Sequence, residues 1–220
     1  MCGRFTLATP GEVIAELFSL PAVPDLSPRY NIAPTQDVAI VRNRASGERE
    51  WAAVHWGLIP SWAKDPGIGA RMINARAETI AEKPAFRSAF RARRCLIPAD
   101  GFFEWRKLEG RKQPYYITWR GGKPFAFAGL WETWRGGDAP AKESCTILTT
   151  SPNEVLVSLH DRMPVILSPR DHAAWLDGAT EREALLALLA PCPSEEVEAY
   201  PVSLRVNSPR NDDPGCIARL

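Results

Sequence analysis

The pattern of apolar and polar residues predicts short strands that come in runs, with helices inserted at irregular intervals. The first strand is predicted over residues 4–7. A helix follows it, because Thr9-Pro10-Gly11-Glu12 has the form of a capping box and an apolar stripe follows at helical spacing. Further strands are predicted over residues 37–41, 50–56, 94–97, 101–108, 115–119, 125–130, 145–150 and 199–204. Further helices are predicted over residues 78–82, 84–93, 153–159, 170–176 and 181–189.

This order of elements favours an α+β fold over a repeated βαβ unit, since parallel sheets need a helix after nearly every strand. We therefore expect a curved, barrel-like, mostly antiparallel β-sheet with flanking helices. The chain has 220 residues, within the usual range of one domain, and we expect a single domain over residues 1–220. No glycine-rich phosphate loop and no internal repeat is visible in the sequence.

Composition excludes several classes of protein. Hydrophobic residues make up 45% and charged residues 24% of the chain, which is typical of a soluble globular protein rather than a disordered one. The five cysteines are odd in number and include no CxxC pair, which argues against a disulfide framework and a zinc site. We expect no metal and no cofactor. The sequence shows neither a signal peptide nor a bilayer-spanning run, so a cytoplasmic monomer is expected, nucleoid-associated if the source is bacterial.

Charge is balanced overall but not locally. The formal net charge is +1, and residues 71–106 carry eight of the cations against four acids. A basic patch of this kind can attract phosphates. A solvated helix face is the alternative interpretation. The cations are Arg71, Arg76, Lys83, Arg87, Arg91, Arg93, Arg94 and Arg106.

Cys2 is the residue whose position carries most chemical information. We expect Met1 to be removed because Cys2 is small, which would leave Cys2 as the mature N-terminus. Its α-amine could then condense with an aldehyde to a Schiff base, and its thiol could close a thiazolidine ring. An α-amine has a pKa of about 7.7 to 8.0, against about 10.4 for lysine, so a useful fraction is free base at neutral pH. The alternative is an ordinary buried cysteine in a first strand.

Six short segments embed polar residues in apolar or tightly turning sequence. In order and spacing they resemble the motifs of the SOS-response-associated peptidase (SRAP) family, which includes the abasic-site-shielding proteins of bacteria and animals. The resemblance covers essentially the whole chain. The segments are Cys2-Gly3-Arg4-Phe5, Tyr30-Asn31-Ile32-Ala33-Pro34-Thr35, Trp56-Gly57-Leu58-Ile59-Pro60-Ser61-Trp62, Ile73-Asn74-Ala75-Arg76-Ala77-Glu78, Asp100-Gly101-Phe102-Phe103-Glu104-Trp105 and Ser158-Leu159-His160-Asp161-Arg162-Met163-Pro164.

The resemblance implies a DNA-repair function: covalent capture of abasic sites in single-stranded DNA through a thiazolidine at Cys2, which shields them from cleavage. It further implies that Asn74 orients the reacting groups, that Glu104 transfers protons, and that His160 assists sugar opening and imine chemistry. The family name also implies autoproteolytic removal of Met1. Lyase-like Schiff-base chemistry is therefore expected, with abasic single-stranded DNA as the partner.

The same residues have simpler interpretations. Glu104 stands between Phe103 and Trp105 in a predicted strand; if it faces inward, apolar neighbours raise its pKa towards a range useful for acid and base catalysis, and otherwise it is solvated. His160 can shuttle a proton near neutral pH, although a lone histidine is more often structural. Asn74 could be only a turn former.

DNA contacts are expected from residues beside the reacting groups. Arg4, Arg76 and Arg162 lie in three motifs, and a guanidinium can fork onto phosphate oxygens without reading the sequence. Trp62, in a loop after a proline, is a candidate for stacking on a base, whereas Trp105 could equally belong to the core. Two further expected pocket residues are Asn31 and Pro34.

Two other functions remain open from the sequence. The first is an N-terminal-nucleophile amidohydrolase, in which the Cys2 thiol attacks an amide with its own α-amine as base. Such enzymes need an αββα sandwich, which the irregular helix placement disfavours. The second is a reader of single-stranded or modified DNA that forms no covalent bond.

Overall fold

The computed structural model describes residues 2–136 and 140–220, in which thirteen strands and four α-helices are found. Met1, whose removal the sequence predicts, lies outside the described residues. The strands are β1 (Phe5–Leu7), β2 (Arg29–Ile32), β3 (Asp37–Asn43), β4 (Arg49–Trp56), β5 (Asn74–Arg76), β6 (Arg94–Ala99), β7 (Gly101–Leu108), β8 (Arg111–Trp119), β9 (Phe125–Trp134), β10 (Lys142–Thr150), β11 (Met163–Pro164), β12 (Ile166–Leu167) and β13 (Val197–Pro201). The helices are α1 (Gly11–Leu17), α2 (Arg87–Ala92), α3 (His172–Leu176) and α4 (Arg182–Ala187).

Five strands close into a barrel. The hydrogen-bonded order β4-β3-β6-β9-β10 returns to β4, because β10 pairs with both β9 and β4. All of these pairings are antiparallel except β10 with β4. Closure removes the exposed edges of the sheet. Three short strands, β5, β11 and β12, extend it at the margins. The α+β class and the barrel-like sheet predicted from the sequence are confirmed.

A second, antiparallel sheet has the order β13-β8-β7-β1-β2 and packs with one face on the barrel. Successive side chains of a strand point to opposite faces, so Phe102 and Phe103 separate. The Phe102 ring contacts Phe127 of the barrel at 5.9 Å between centroids, and Phe5 of β1 contacts the same ring at 5.8 Å. The main hydrophobic core therefore fills the barrel and continues into the space between the barrel and the second sheet.

A smaller apolar cluster covers the other face of the second sheet. It contains Phe103, Tyr116 and three residues from the C-terminal part of the chain: Val202, Val206 and Cys216. The last eighteen residues, which we call the C-terminal segment (residues 203–220), thus fold back over the face that does not contact the barrel. This matters for the site, because β1, which begins three residues after Cys2, lies in that sheet between β7 and β2.

Most predicted strands are present, and those with clear apolar runs are the most accurate. β7 has the predicted bounds, and seven of the eight other predicted strands overlap β1, β3, β4, β6, β8, β9 and β10. The strand predicted over residues 199–204 is shifted to β13, because a 3-10 turn, Leu204–Asn207, follows it. β2 and β5 are not predicted, since each is short and is flanked by turn-forming sequence.

The helix predictions are less accurate. The capping box is wrong: Thr9 donates its hydroxyl to Asp100 at 2.6 Å, and Pro10 precedes α1 without a side-chain cap. Residues 153–159 form successive turns instead of a helix, and residues 78–82 form a 3-10 turn, Ala77–Thr79, and a further turn. Among the described residues, no helix is long and apolar enough to cross a bilayer.

Candidate active site

Cys2 lies immediately before β1, and its side chain is fully buried. β1 sits between β2 and β7, so its flanking backbone is held on both sides. The Cys2 thiol lies 3.9 Å from the carbonyl oxygen of Arg4, to which it can donate a weak hydrogen bond. Burial raises the pKa of this thiol, and the nearby carboxyl of Glu104 raises it further. The thiol is therefore protonated at neutral pH.

Asn74 reaches Cys2 from the barrel. It begins β5, which pairs in parallel with β10 so that Asn74 lies opposite Ile147. Its side-chain amide Nδ2 donates a 2.8 Å hydrogen bond to the carbonyl oxygen of Cys2. This bond connects residues 72 positions apart and ties the chain start to the barrel margin. The asparagine is therefore more than a turn former: it fixes the backbone of the candidate nucleophile.

Glu104 approaches Cys2 from the second sheet. It lies two residues after Phe102 in β7 and shares the face that packs on the barrel, so its side chain is only 3% exposed. Burial raises the pKa of its carboxyl; the charge of Asp161 adds to the rise, and the charge of His160 acts in the opposite direction. The inward orientation required for acid and base catalysis is thus present.

His160 is carried by the turn between β10 and β11. β11 pairs with the end of β10, where Thr150 lies opposite Met163. This pairing brings the segment between the two strands, which carries His160, close to the site. Nδ1 of His160 lies 3.0 Å from the backbone nitrogen of Arg162 and 2.7 Å from Oδ1 of Asp161. Its side chain is 30% exposed, which leaves it accessible to a ligand. Cys2, Asn74, Glu104 and His160 therefore converge from four separate parts of the chain.

Arg162 and Arg76 flank the end of β10, but they differ in their contacts. Arg162 donates two hydrogen bonds to the carboxylate of Glu78, at 2.6 and 2.9 Å, and a third to the carbonyl oxygen of Thr149 at 2.6 Å. The bond with Arg162 lowers the pKa of Glu78. Arg76, opposite Thr149 in β5, is exposed. The two oxygens of the Glu78 carboxylate bind the Arg162 guanidinium in the way in which two oxygens of a phosphate would bind it.

Arg4 and Asn31 hold the C-terminal segment. Arg4 donates to Oδ1 of Asn31 at 2.7 Å and to the carbonyl oxygen of Val206 at 2.8 Å. The fully buried Asn31 donates to the carbonyl oxygens of Val206, Ser208 and Asn211. The expected DNA contacts of this pair stay a prediction; their observed bonds are internal and hold β1 and β2 against the end of the chain.

The aromatic candidates differ in exposure. Trp62 is 59% exposed in its loop, where its indole nitrogen lies 3.5 Å from the carbonyl oxygen of Pro84. Trp105 is half-buried and donates to Oδ1 of Asn207 at 2.8 Å. Pro34 is half-buried in the turn between β2 and β3. Trp62 thus has the accessible ring face that base stacking needs.

Two features of the site are absent from the sequence interpretation. Glu78 pairs with Arg162, and the backbone of residues 206–211 accepts bonds from Arg4 and Asn31. Only the proximity of Glu78 to a motif could have suggested the first, and no local pattern indicates the second. Within residues 2–136 and 140–220, no group of three or more His, Cys, Asp or Glu side chains is placed to hold a metal ion.

Comparison with known proteins agrees with the motif pattern. The family model described as SOS response associated peptidase (SRAP) matches residues 1–209. The chain belongs to this family. The SRAP resemblance inferred from the six segments is therefore confirmed.

Relatives with curated descriptions span bacteria and animals. The abasic site processing protein YoqW of Bacillus subtilis is 45% identical over 99% of both chains. The abasic site processing protein HMCES of Xenopus tropicalis is 33% identical, over 88% of this chain and 66% of its own length.

Solved structures of similar chains share the fold. A protein from Bacteroides thetaiotaomicron superimposes with a TM-score of 0.90 at 28% identity, over the full length of both chains. A phage-related protein from Bordetella bronchiseptica has a TM-score of 0.73 at 32% identity, over 91% of this chain and 94% of the other.

Proposed function

We propose that this SRAP protein covalently captures abasic sites in single-stranded DNA and shields them from strand cleavage. The observation that carries the proposal is the convergence of Asn74 and Glu104 on Cys2, with His160 beside Glu104. The descriptions of YoqW and HMCES as abasic site processing proteins support the choice of substrate. The ring-opened sugar of an abasic site offers the aldehyde that an N-terminal cysteine needs.

The proposed reaction balances without an external oxidant or reductant. The α-amine of Cys2 adds to C1′ of the open sugar, and loss of water gives a Schiff base. The thiol then adds to the imine carbon: a carbon–sulfur bond forms, the C=N π bond breaks, and the thiol proton ends on nitrogen. The product is a thiazolidine that joins the protein to the DNA strand.

The electrostatics of the site support a proposal for the proton transfers. A buried, protonated thiol adds slowly to an imine unless a base accepts its proton. Glu104 is close enough to perturb the Cys2 thiol, and its raised pKa brings it nearer to neutral pH. We infer that Glu104 relays the thiol proton to the nitrogen. His160, which is partly exposed beside it, protonates the sugar oxygen as the ring opens.

Capture requires a free α-amine on Cys2, so Met1 must be removed first. The peptidase in the family description fits a self-processing step, in which the same site cleaves the bond before Cys2. A cellular aminopeptidase would leave the same N-terminus. Intact mass of the purified Glu104→Gln protein separates the two routes: retained Met1 indicates self-processing.

The fold favours capture over the amidohydrolase alternative. An N-terminal-nucleophile amidohydrolase needs an αββα sandwich, whereas this chain forms a closed barrel packed on a second sheet. A non-covalent DNA reader does not need the contacts of Asn74 and Glu104 around the chain start.

Two Cys2 variants test the mechanism. We expect a protein with an uncleavable extension before Cys2 to form no stable adduct with abasic single-stranded DNA, because its amine is blocked. We expect Cys2→Ala to form at most an imine, visible by intact mass only after borohydride reduction, because it lacks sulfur. Cys192→Ala, which removes another buried thiol, should capture normally.

Each alternative predicts a different result. A stable adduct on the extended protein would rule out an amine mechanism. Absence of any adduct on the wild type, with DNA binding intact, would indicate a non-covalent reader.

A further inference from the structure

A small cavity between α2 and α4 is lined by three arginines. Its volume is about 190 Å³, and its lining includes Arg87 and Arg91 from α2 and Arg182 from α4. The buried side chains of Phe90 and Leu185 lie in the same cavity wall, and Thr180 completes its polar part. Three guanidinium groups around one concave space form a positive potential that attracts anions.

Among the described residues, these arginines form no ion pair. In the part of the chain that the structure describes, none of Arg87, Arg91 and Arg182 has a carboxylate within ion-pair distance. No aspartate or glutamate is among the described residues that line the cavity. By contrast, Arg42 forms ion pairs with both Glu50 and Glu143.

The position of Arg87 at the start of α2 is locally unfavourable. Arg87 is the first residue of α2, where the helix dipole repels a cation, and no acidic residue balances it in the first turn. Arg91 follows four residues later on the same face, so the two like charges repel each other. Such a placement is stabilised when an anion binds between the side chains.

The cavity is connected to the candidate active site along one short segment. β5 ends at the exposed Arg76, and the backbone then turns through hydrogen bonds from Lys83 to Thr79 and from Arg87 to Lys83. Arg76, Lys83 and Arg87 are all exposed along this segment. A strand of DNA that leaves the active site along these cations would reach the cavity.

We propose that the cavity lined by Arg87, Arg91 and Arg182 binds a phosphate group of the DNA strand beyond the reacting nucleotide. The guanidinium groups donate to the phosphate oxygens, and no base is recognised. This inference rests on the proposed function for its ligand. A phosphate bound in the cavity lengthens the stretch of DNA that the protein contacts and holds the strand on one side of the abasic site.

Binding to unmodified single-stranded DNA of two lengths tests the proposal. We expect Arg87→Ala, Arg91→Ala and Arg182→Ala each to weaken binding of a strand of about 20 nucleotides by about three- to ten-fold in fluorescence anisotropy. Each should also reduce the slope of log K against log salt by about 0.7. Binding of a strand of about four nucleotides, which offers fewer phosphates to the active site and the cavity together, should weaken less.

The control is Arg120→Ala, which removes an exposed arginine just beyond β8, five positions after Tyr115, the residue that lies opposite Glu104, and outside the cavity lining. It should leave both affinities unchanged. If the arginine variants lost the same factor of affinity for short and for long strands, the proposal would be overturned, since the effect would then lie in the active site or the fold. Unchanged affinity for the long strand would overturn it as well.

Titration with inorganic phosphate distinguishes the source of the anion. If the wild type binds phosphate with saturable heat that the arginine variants lose, while affinity for long DNA is unchanged, the cavity is a small-anion site and the DNA assignment is wrong. Covalent capture of a short abasic strand, measured on the same variants, should stay at the wild-type level. Because the affinities use unmodified DNA, failure of capture and failure of this inference give different results.

Discussion

At the scale of single residues, burial decides the chemistry of the site. The Cys2 thiol and the Glu104 carboxyl both lie out of water, and desolvation raises the pKa of each. The sequence justified only a conditional statement about Glu104, because a glutamate in a strand can face either way. The register of β7 settles the direction: Glu104 shares the face of Phe102, which packs on the barrel.

With Met1 removed from both proteins, we expect Glu104→Gln to form the cross-link about 10²- to 10⁴-fold more slowly than the wild type, the usual contribution of a placed proton-transfer group. DNA affinity should change little, because the carboxyl is buried and is not a phosphate ligand. If the carboxylate accepts the thiol proton as proposed, the wild-type rate should rise with pH through the raised pKa of Glu104, and the variant should lose this rise. Single-turnover gels over a pH series measure both.

Glu132→Gln is the matched control, since Glu132 is also buried but pairs with Arg93 at 2.7 Å. It should capture at the wild-type rate. Wild-type kinetics in Glu104→Gln would show that the carboxyl has no part in proton transfer.

At the scale of elements, the C-terminal segment determines how firmly the start of the chain is held. β1 has three residues, too few to be stable by itself. Arg4 and Asn31 connect it and β2 to the backbone of residues 206–211. Asp212 adds to this by accepting from the side chain of Arg29 at 2.6 Å. The segment therefore supports Cys2 from the face of the second sheet that is remote from the barrel.

Asn31→Ala should release the C-terminal segment. The substitution leaves the carbonyl oxygens of Val206, Ser208 and Asn211 without this donor, and we expect a loss of about 2 to 3 kcal/mol in the free energy of unfolding. Hydrogen exchange followed by mass spectrometry should show faster exchange in residues 203–216 and in β1.

Asn43→Ala provides the comparison. Asn43 donates a single bond, to the carbonyl oxygen of Leu176, at the barrel side of the molecule. Its loss should leave exchange in the C-terminal segment unchanged. Equal protection of that segment in Asn31→Ala and the wild type would contradict the role assigned to Asn31.

At the scale of the whole molecule, packing between elements that are distant in sequence makes stability depend on pH. His172 begins α3, is 2% exposed, and stacks on Phe18 with 5.4 Å between ring centroids. Burial lowers its pKa to about 4, and a hydrogen bond with the backbone of Leu167 opposes the shift. The ordinary histidine pKa is about 6.5. The folded state thus favours the neutral ring.

The sign of the effect follows. The stabilisation of the folded state by the neutral His172 ring is fully present above pH 6.5. It is lost as the pH falls from 6.5 towards 4, because the unfolded chain binds the proton first. His172→Phe keeps the stacked ring but cannot bind a proton. When the pH is lowered from 7.5 to 4.5, we expect the free energy of unfolding of this variant to rise by about 2 kcal/mol relative to that of the wild type. Urea unfolding of both proteins at the two pH values measures this difference. A difference independent of pH would contradict the burial of a neutral His172.

The sequence by itself determined the strands with long apolar runs, the α+β class and the family. These depend on local hydrophobic periodicity and on short motifs, which survive in the linear order of residues. It could not determine β2 or β5, because strands of four and three residues carry almost no periodic signal. It also assigned the Thr9 hydroxyl to a helix cap, although a carboxylate 91 residues away, that of Asp100, binds it.

Only the tertiary structure decided which candidate side chains lie close together. Asn74, Glu104 and His160 lie 72, 102 and 158 positions after Cys2 in the sequence, and their convergence depends on strand pairings between distant segments. The same holds for the contacts of Arg162 with Glu78 and of Arg4 with Asn31. The physical reason is that a guanidinium or an amide has no local preference among partners: the closed barrel and the sheet packed on it determine which acceptor is nearby.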